Sequence, residues 1–486
     1  MNIHYLFLKL NCYNLLGNYF WENSLKKIVC VFLLACIMVN AKEFDLTLDK
    51  AIDLALENNG LNKISKLNLE IAKAQYEQAL SANYPSLDVV LYAKRDDKDT
   101  IYQQRGEFKL PADMAAALGM MGITSTSISA DIDTIAVGRD TVRGELEVNY
   151  PLYTGGKISS IIQQAKLNKE IKAEAIKRSE SSVVYDVKRY FYGYIFVDSL
   201  YKLINDIYEN MKFSRDLTKE FLENGTTLNI KKTDYLNIKL ITSLIETTLY
   251  KIDTNRKILE GAIGNLIGLK YNDVIKITYE KQEILKQNQD LETLVKKSMD
   301  FNSDIRTIDL ALKIKDEQIK EAKSEYQPMV NLFGNINHTY NSYQYGYLYE
   351  ENANRWTVGL AVKMSLFNGF KTDNQVLEKR LDKKIVNEQK ILLEDGLALQ
   401  LKNEFIKSSL GFKQLKALQE AVDAATENSI TNFKAYKYEM VEAKDLVQSS
   451  MMEVYVKADY LKSLHDYLIS LATIDKLIGK KLEETY

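Results

Sequence analysis

The sequence predicts a mainly α-helical chain made by internal duplication, carrying four β-strands that can close a barrel only with strands from other copies. Three observations predict it. A long segment recurs, the hydrophobic period switches from 3.6 to 2 behind a proline in each copy, and proline is absent from the long stretches after those strands.

The repeat runs from Leu48 (L-D-K-A-I-D-L-A-L-E-N-N) through S-A-N-Y-P-S-L-D-V-V-L, and again from Leu291 (L-E-T-L-V-K-K-S-M-D-F-N) through S-E-Y-Q-P-M-V-N-L-F, at a constant offset of 243. It resumes at P-L-Y-T-G-G-K (Pro151 to Lys157) and S-L-F-N-G-F-K (Ser365 to Lys371) with the offset at 214, so the second copy is 29 residues shorter between its proline and its glycine. One body of two similar halves is therefore expected, although 486 residues would by length suit two or three domains. The chain divides into residues 1–41, a signal peptide with an N-terminal extension; 42–268, a first repeat of helix, β-hairpin 86–152 and long helical hairpin with its tip near residue 225; 269–290, a linker or equatorial segment; and 291–486, a second repeat with β-hairpin 329–366 and its tip near residue 439.

Lys26-Lys27, the apolar run Ile28–Val39 and the small-residue site ending at Ala41 read as a secretory signal, too short to span a bilayer. Leu33-Leu34-Ala35-Cys36 also resembles a lipoprotein box, which would lipidate Cys36, and the long lead Met1–Ser24 suggests that translation starts near Leu25. The three cysteines are Cys12, Cys30 and Cys36, and only His338 and His465 lie beyond residue 40. No disulfide framework, thiolate metal site or histidine-based catalytic or zinc site is expected, and no cofactor. A net charge of −2 with interspersed signs excludes a cationic nucleic-acid binder.

Pro85 and Pro328 end the repeated helical patterns and turn the chain into extended structure. After them Leu87, Val89 and Leu91; Val142, Leu146 and Val148; Val330, Leu332 and Ile336; and Trp356, Val358, Leu360 and Val362 alternate with mainly polar residues. A soluble sandwich would bury those apolar faces. A transmembrane barrel would turn them to lipid and line a wet lumen with Arg143, Glu145, Glu147 and Lys363. Strands of about ten residues suit a tilted membrane strand. Trp356 and the tyrosines at 343, 345, 347 and 349 could sit at the interface. Four strands cannot close a barrel, and open edges in lipid leave backbone groups unsatisfied. The chain must pool strands with copies of itself, and three copies give about twelve.

The stretches Gly156–Glu223 and Phe370–Lys437 predict helices of about 68 residues, or about 100 Å each. Leu48–Tyr84 and Leu291–Gln327, with Asn229–Gly268 and Ala443–Gly479, predict half-rods of about 37 to 40 residues. Val183, Val187, Tyr190, Tyr194, Val197, Tyr201, Ile204, Tyr208 and Met211 form one 4-3 seam on the first long helix, and Phe196, Leu200, Leu203 and Ile207 another. Two seams let one helix pack between two neighbours, as in a closed cylinder of helices or a thick bundle.

The L-T-L-D-K-A-I-D-L-A-L-E-N-N opening, the Tyr84-Pro85 exit, the P-L-Y-T-G-G-K step and their second copies resemble the TolC family of outer-membrane efflux proteins over essentially the whole mature chain. The resemblance implies a homotrimer with a twelve-stranded barrel in the Gram-negative outer membrane and a long α-helical barrel extending into the periplasm. It also implies docking to a periplasmic adaptor (membrane fusion) protein and an inner-membrane pump, contact with outer-membrane lipid, and no chemistry by this subunit. Gly225 matches the family's tip glycine, followed by Thr226; in the second half Glu439 stands where that glycine would be, followed by Met440. These four are the expected adaptor-docking tips. Tyr436 matches the family's gating tyrosine and Asp445 the first of two gate aspartates, while Gln448 replaces the second. Val441 and Lys231 occupy positions where a basic latching residue and its acidic partner can occur. Three copies of Asp445 around a narrow opening would favour cations; the plain alternative is a solvated helix charge.

The loop from about Asp96 to Gly138 carries the extra length and holds a short apolar stretch of helical character, Ala112–Met121, expected outside the cell. The function expected is a passive exit duct of a tripartite efflux or type I secretion system. The alternative from another class is a trimeric coiled-coil surface or scaffold protein with a small membrane anchor. An enzyme is the weakest reading, since no nucleophile, metal or phosphate-loop constellation is present.

Overall fold

The computed structural model describes residues 44–224, 230–280, 284, 286 and 288–479. The signal segment, Cys36, Gly225 and Thr226 lie outside them. In the first repeat the elements are β1 (Phe44–Leu46), α1 (Leu48–Asn58), α2 (Gly60–Ser81), β2 (Ser86–Arg95), β3 (Thr100–Lys109), α3 (Ala112–Met120), β4 (Ser127–Val137), β5 (Asp140–Tyr153), α4 (Lys157–Asn224) and α5 (Lys232–Leu266). Then follow β6 (Ile275–Ile277), α6 (Leu291–Phe301), α7 (Ser303–Ser324), β7 (Met329–Asn341), α8 (Glu350–Ala353), β8 (Asn354–Lys363), α9 (Lys371–Lys437) and α10 (Ala443–Ile478).

The long helices α4 and α9 have 68 and 67 residues, as the uninterrupted proline-free periodicity predicts. The half-rods before the strands differ from expectation. Each is broken, at Asn59 and at Asn302, both held in extended backbone with ψ near 130°. The two breaks are equivalent in the repeat, and so are the caps before them. Thr47 Oγ1 accepts from Lys50 N (3.4 Å) and Asp290 Oδ1 from Thr293 N (3.2 Å).

The chain separates into two compact units, with divisions inside α4, α9 and α10. The first comprises residues 1–59, 186–285 and 416–465. Its core joins Ile204, Ile207 and Met211 of α4 to Ile238, Ile245, Leu249 and Ile252 of α5, and to Tyr436, Ala443 and Leu446. The residues from α4 are those of the two predicted seams. The segment read as a linker contains β6, which pairs in parallel with β1 (Phe44↔Ile275 to Leu46↔Ile277). Short three-residue strands carry too little alternation to be read from sequence. Asn59 Nδ2 donates to Leu266 O at the end of α5 (3.3 Å). Gly268, at φ +82°, closes that helix against Asn58, where a Cβ would come within 2.7 Å of the Asn58 Cβ.

The second unit comprises residues 60–185, 286–415 and 466–486. It repeats the same device: Asn302 Nδ2 donates to Leu477 O (2.9 Å), and Gly479 (φ +71°) abuts Phe301 O. Leu294, Leu401, Ile474 and Ile478 form the core beside it. The main sheet has strand order β2-β5-β7-β8, all antiparallel, and these are the four predicted strands. The long loop differs from expectation. Besides its predicted helix α3, it forms a separate two-stranded ribbon, β3–β4. Eight strands are thus present among the described residues, four of them outside the main sheet.

Candidate functional site

Two regions carry the sequence-predicted residues, the sheet and the helical tips. The sheet inverts the usual rule of burial. Its register puts Val89, Leu146, Ile336 and Trp356 in one cross-strand row, and Leu332, Val358 and Leu360 on the same face. That face is open: Leu91 is 78% exposed, Trp356 74% and Leu360 64%. The opposite face holds Glu147↔Asn335↔Thr357 and Glu145↔Asn337↔Arg355, with Arg143 and Lys363 in the same alternation. On the central strands of that face the polar side chains are the covered ones, with Glu145 9% and Asn337 8% exposed, while Arg355, Thr357 and Lys363 on the outer strand β8 are exposed. Arg143 Nη2 lies 2.8 Å from Glu145 Oε2. A soluble sheet would bury the row of valines and leucines and solvate the charges. The outer strands β2 and β8 each pair on one side only, leaving two free edges.

At the second-half tip, α9 ends in a Schellman turn. Met440 N donates to Ala435 O (3.0 Å) and Glu439 N to Tyr436 O (3.1 Å). The turn requires a left-handed residue, and Glu439 supplies it at φ +59°. Glutamate thus keeps the backbone conformation expected of glycine, with its own side chain and that of Met440 exposed.

Tyr436 is buried in the core of the first unit, and its hydroxyl lies 2.6 Å from Thr218 Oγ1 on α4. Thr218 spends its single proton on Ser214 O (2.6 Å), so the tyrosine is the donor. Burial pushes the Tyr436 phenol up from its ordinary value. The Thr218 bond acts against that shift, and the charge of Asp234 adds to it. Asp234 lies near the tip of α5, where its carboxylate accepts from Lys231 N (2.8 Å). A carboxylate therefore stands near the tyrosine although Lys231 occupies the position where one was sought. Asp445 and Gln448 lie one turn apart on α10, and both are exposed rather than packed with Tyr436. The three predicted gate residues thus do not form one cluster within the chain.

Sequence reasoning missed a buried ionic network in the first unit. Asp198 of α4, 5% exposed, receives Lys202 Nζ (2.7 Å), Tyr279 Oη (2.7 Å) and Arg256 Nη1 (3.2 Å). Arg256 also pairs with Asp253 (2.7 Å) and stacks over Tyr201 (4.7 Å). Burial opposes ionisation of Asp198, yet the bonds from Lys202, Tyr279 and Arg256 hold its carboxyl below the ordinary value. The network ties the segment after β6 to α4 and α5. Its only sequence signal was charges interrupting a helical seam. Among the described residues no group of acidic, histidine or cysteine side chains is placed to hold a metal, and no helix is long and apolar enough to cross a membrane.

Comparison with solved structures identifies the fold. The chain is similar to the CmeC outer membrane channel of Campylobacter jejuni (14% identity, 89% of this chain and 85% of that one, TM-score 0.71). It is similar also to the open state of the MtrE outer membrane channel of Neisseria gonorrhoeae (15%, 89% and 88%, TM-score 0.69) and to CusC (12%, 90% and 93%, TM-score 0.71). The fold is that of these TolC-type outer-membrane channels. No protein-family model and no curated protein sequence matches the chain.

Proposed function

We propose that this protein is a homotrimeric outer-membrane channel that serves as the passive exit duct of a tripartite efflux or type I secretion system. The observation that carries the reading is the inverted sheet, with an open apolar face, a charged and polar face covered on its central strands, and two unpaired edges. In a bilayer those edges must be satisfied, and β2 of one copy pairing with β8 of the next closes twelve strands without leaving a free end. The apolar face then meets lipid of the Gram-negative outer membrane, and Arg143, Glu145, Glu147 and Lys363 face a wet lumen. The helices extend into the periplasm. The tips, with Gly225, Thr226, Glu439 and Met440, meet an adaptor protein that bridges to an inner-membrane pump. The subunit performs no chemistry and needs no cofactor.

Tyr436 acts in this reading from inside the wall, holding α9 to α4 just before the tip through Thr218. Asp445 and Gln448, exposed on α10, face the narrow opening, where three carboxylates attract cations. Release of a water-soluble dye from liposomes containing the purified protein tests the duct. Size-limited release is expected, and retention of the smallest dyes would favour the trimeric scaffold with a membrane anchor instead.

A further inference from the structure

The β3–β4 ribbon stands apart from the main sheet, and its two faces differ in character. Tyr102, Phe108, Ile128 and Ile132 occupy one face, while Arg105 and Asp131 pair across the other. All four apolar side chains are exposed. A two-stranded ribbon without cover is at best marginally stable in water, so this face calls for a partner.

The way the ribbon is anchored identifies one. On the β4 side it is held by its own chain's β7–β8 connection. Tyr347 N donates to Ala136 O (2.6 Å), and the Asn341 side chain bonds both the N–H of Gly138 (2.7 Å) and its carbonyl (2.9 Å). This contact follows from strand order, because β4 leads into β5 and β5 pairs with β7. The β3 side grows from β2, a free edge whose complement is the free edge β8. Directions alternate along the sheet, so β8 begins at the end of the barrel where β2 finishes. Closing the ring therefore brings the connection that precedes the next copy's β8 against β3. That connection exposes Tyr345, Tyr347 and Tyr349.

We propose that the apolar face of the β3–β4 ribbon docks on the β7–β8 connection of a second copy of this chain, so that each ribbon is clasped between two such connections. The proposal rests on the trimeric barrel reading. Aromatic rings matched to Tyr102 and Phe108 suit this contact. Alternate charges on the ribbon's other face remain in water.

No cysteine follows Cys36, so introduced thiols are the only ones beyond the segment read as a signal peptide. Chains carrying Tyr102→Cys and chains carrying Tyr349→Cys are co-expressed and oxidised in native membranes, with the oligomeric mass of the unsubstituted protein measured in parallel. A disulfide-linked pair that forms only on co-expression is the expected result. A second pair, Gln104→Cys with Glu351→Cys, covers the case in which the first disturbs folding. Trimeric wild-type protein with neither pair linking would overturn the ribbon contact and leave the barrel reading intact. Wild-type protein that is not trimeric removes the reading beneath it. Quenching of Tyr102→Trp fluorescence by brominated phospholipid, without cross-linking, would overturn the contact in favour of a lipid cover.

Discussion

The hydroxyl of Tyr436 donates to Thr218 Oγ1 across 2.6 Å, joining two residues that lie 218 positions apart at the ends of α4 and α9. Both groups are buried, so the bond is shielded from water and costly to leave half-made. Tyr436→Phe removes it while keeping the ring packed among Ile207, Met211 and Leu446. If the bond exists only in the closed tip, its loss of about 1 kcal/mol raises the open-to-closed ratio about fivefold. Open probability in bilayer recordings measures this. Thr218→Val should act alike, and the double variant should add little to either, as a shared contact requires.

Glu439 occupies a left-handed backbone position at φ +59°. Non-glycine residues there carry a cost of about 1–2 kcal/mol, part of which glycine returns through the greater freedom of the unfolded chain. Glu439→Gly should therefore slow hydrogen exchange at the end of α9 by a few-fold. Faster exchange would show that the glutamate side chain contributes more than its backbone costs.

Asp198 is the hub of three donors, and removing it leaves Tyr279 without its acceptor and the half-buried Arg256 with Asp253 alone. Asp198→Ala should cost about 2 kcal/mol in denaturant unfolding, and Asp198→Asn less, because an amide still accepts. The carboxyl is held below 3.8 in the fold, so its contribution is complete above that pH and fades as pH falls further.

Tyr194 sets the alkaline side. Burial, then the charges of Asp198 and Glu260, push its phenol from 10.0 to about 12. Between those values the folded chain keeps a proton that the unfolded chain releases, so stability falls as pH rises through 10. Tyr194→Phe should flatten that limb by on the order of 2 kcal/mol, read from unfolding midpoints between pH 9 and 12.

Leu360 and Lys363 lie on opposite faces of β8. In the proposed barrel Leu360→Lys would put a charge against lipid at a cost of about 2–4 kcal/mol near the midplane, and should reduce the yield of assembled protein in the membrane. Lys363→Leu should be tolerated. The reverse order would mean that the faces are assigned the wrong way round.

The sequence made the main sheet and the long helices legible because both are governed by period. Alternation behind Pro85 and Pro328 marks all four strands, and the absence of proline marks α4 and α9. The breaks at Asn59 and Asn302 were missed because a helical pattern continues on both sides. Their equivalence in the repeat was the available clue. The β3–β4 ribbon was missed because Ile101, Gln104, Thr134 and Ile135 blur its alternation in a long segment between two stronger strands. Thr218 and Asp198 could not be assigned roles, since their partners are fixed by the packing of α4 against other helices rather than by spacing. Glu439 was legible as a departure from glycine, but its left-handed backbone required coordinates.

The central claim is that copies of this chain close a water-filled pore across a membrane. Single-channel recording of the purified protein in planar bilayers tests it most directly. Discrete openings are expected, cation-selective in a salt gradient and less so in Asp445→Ala. A protein that inserts into the bilayer yet never opens a conducting path would contradict the account.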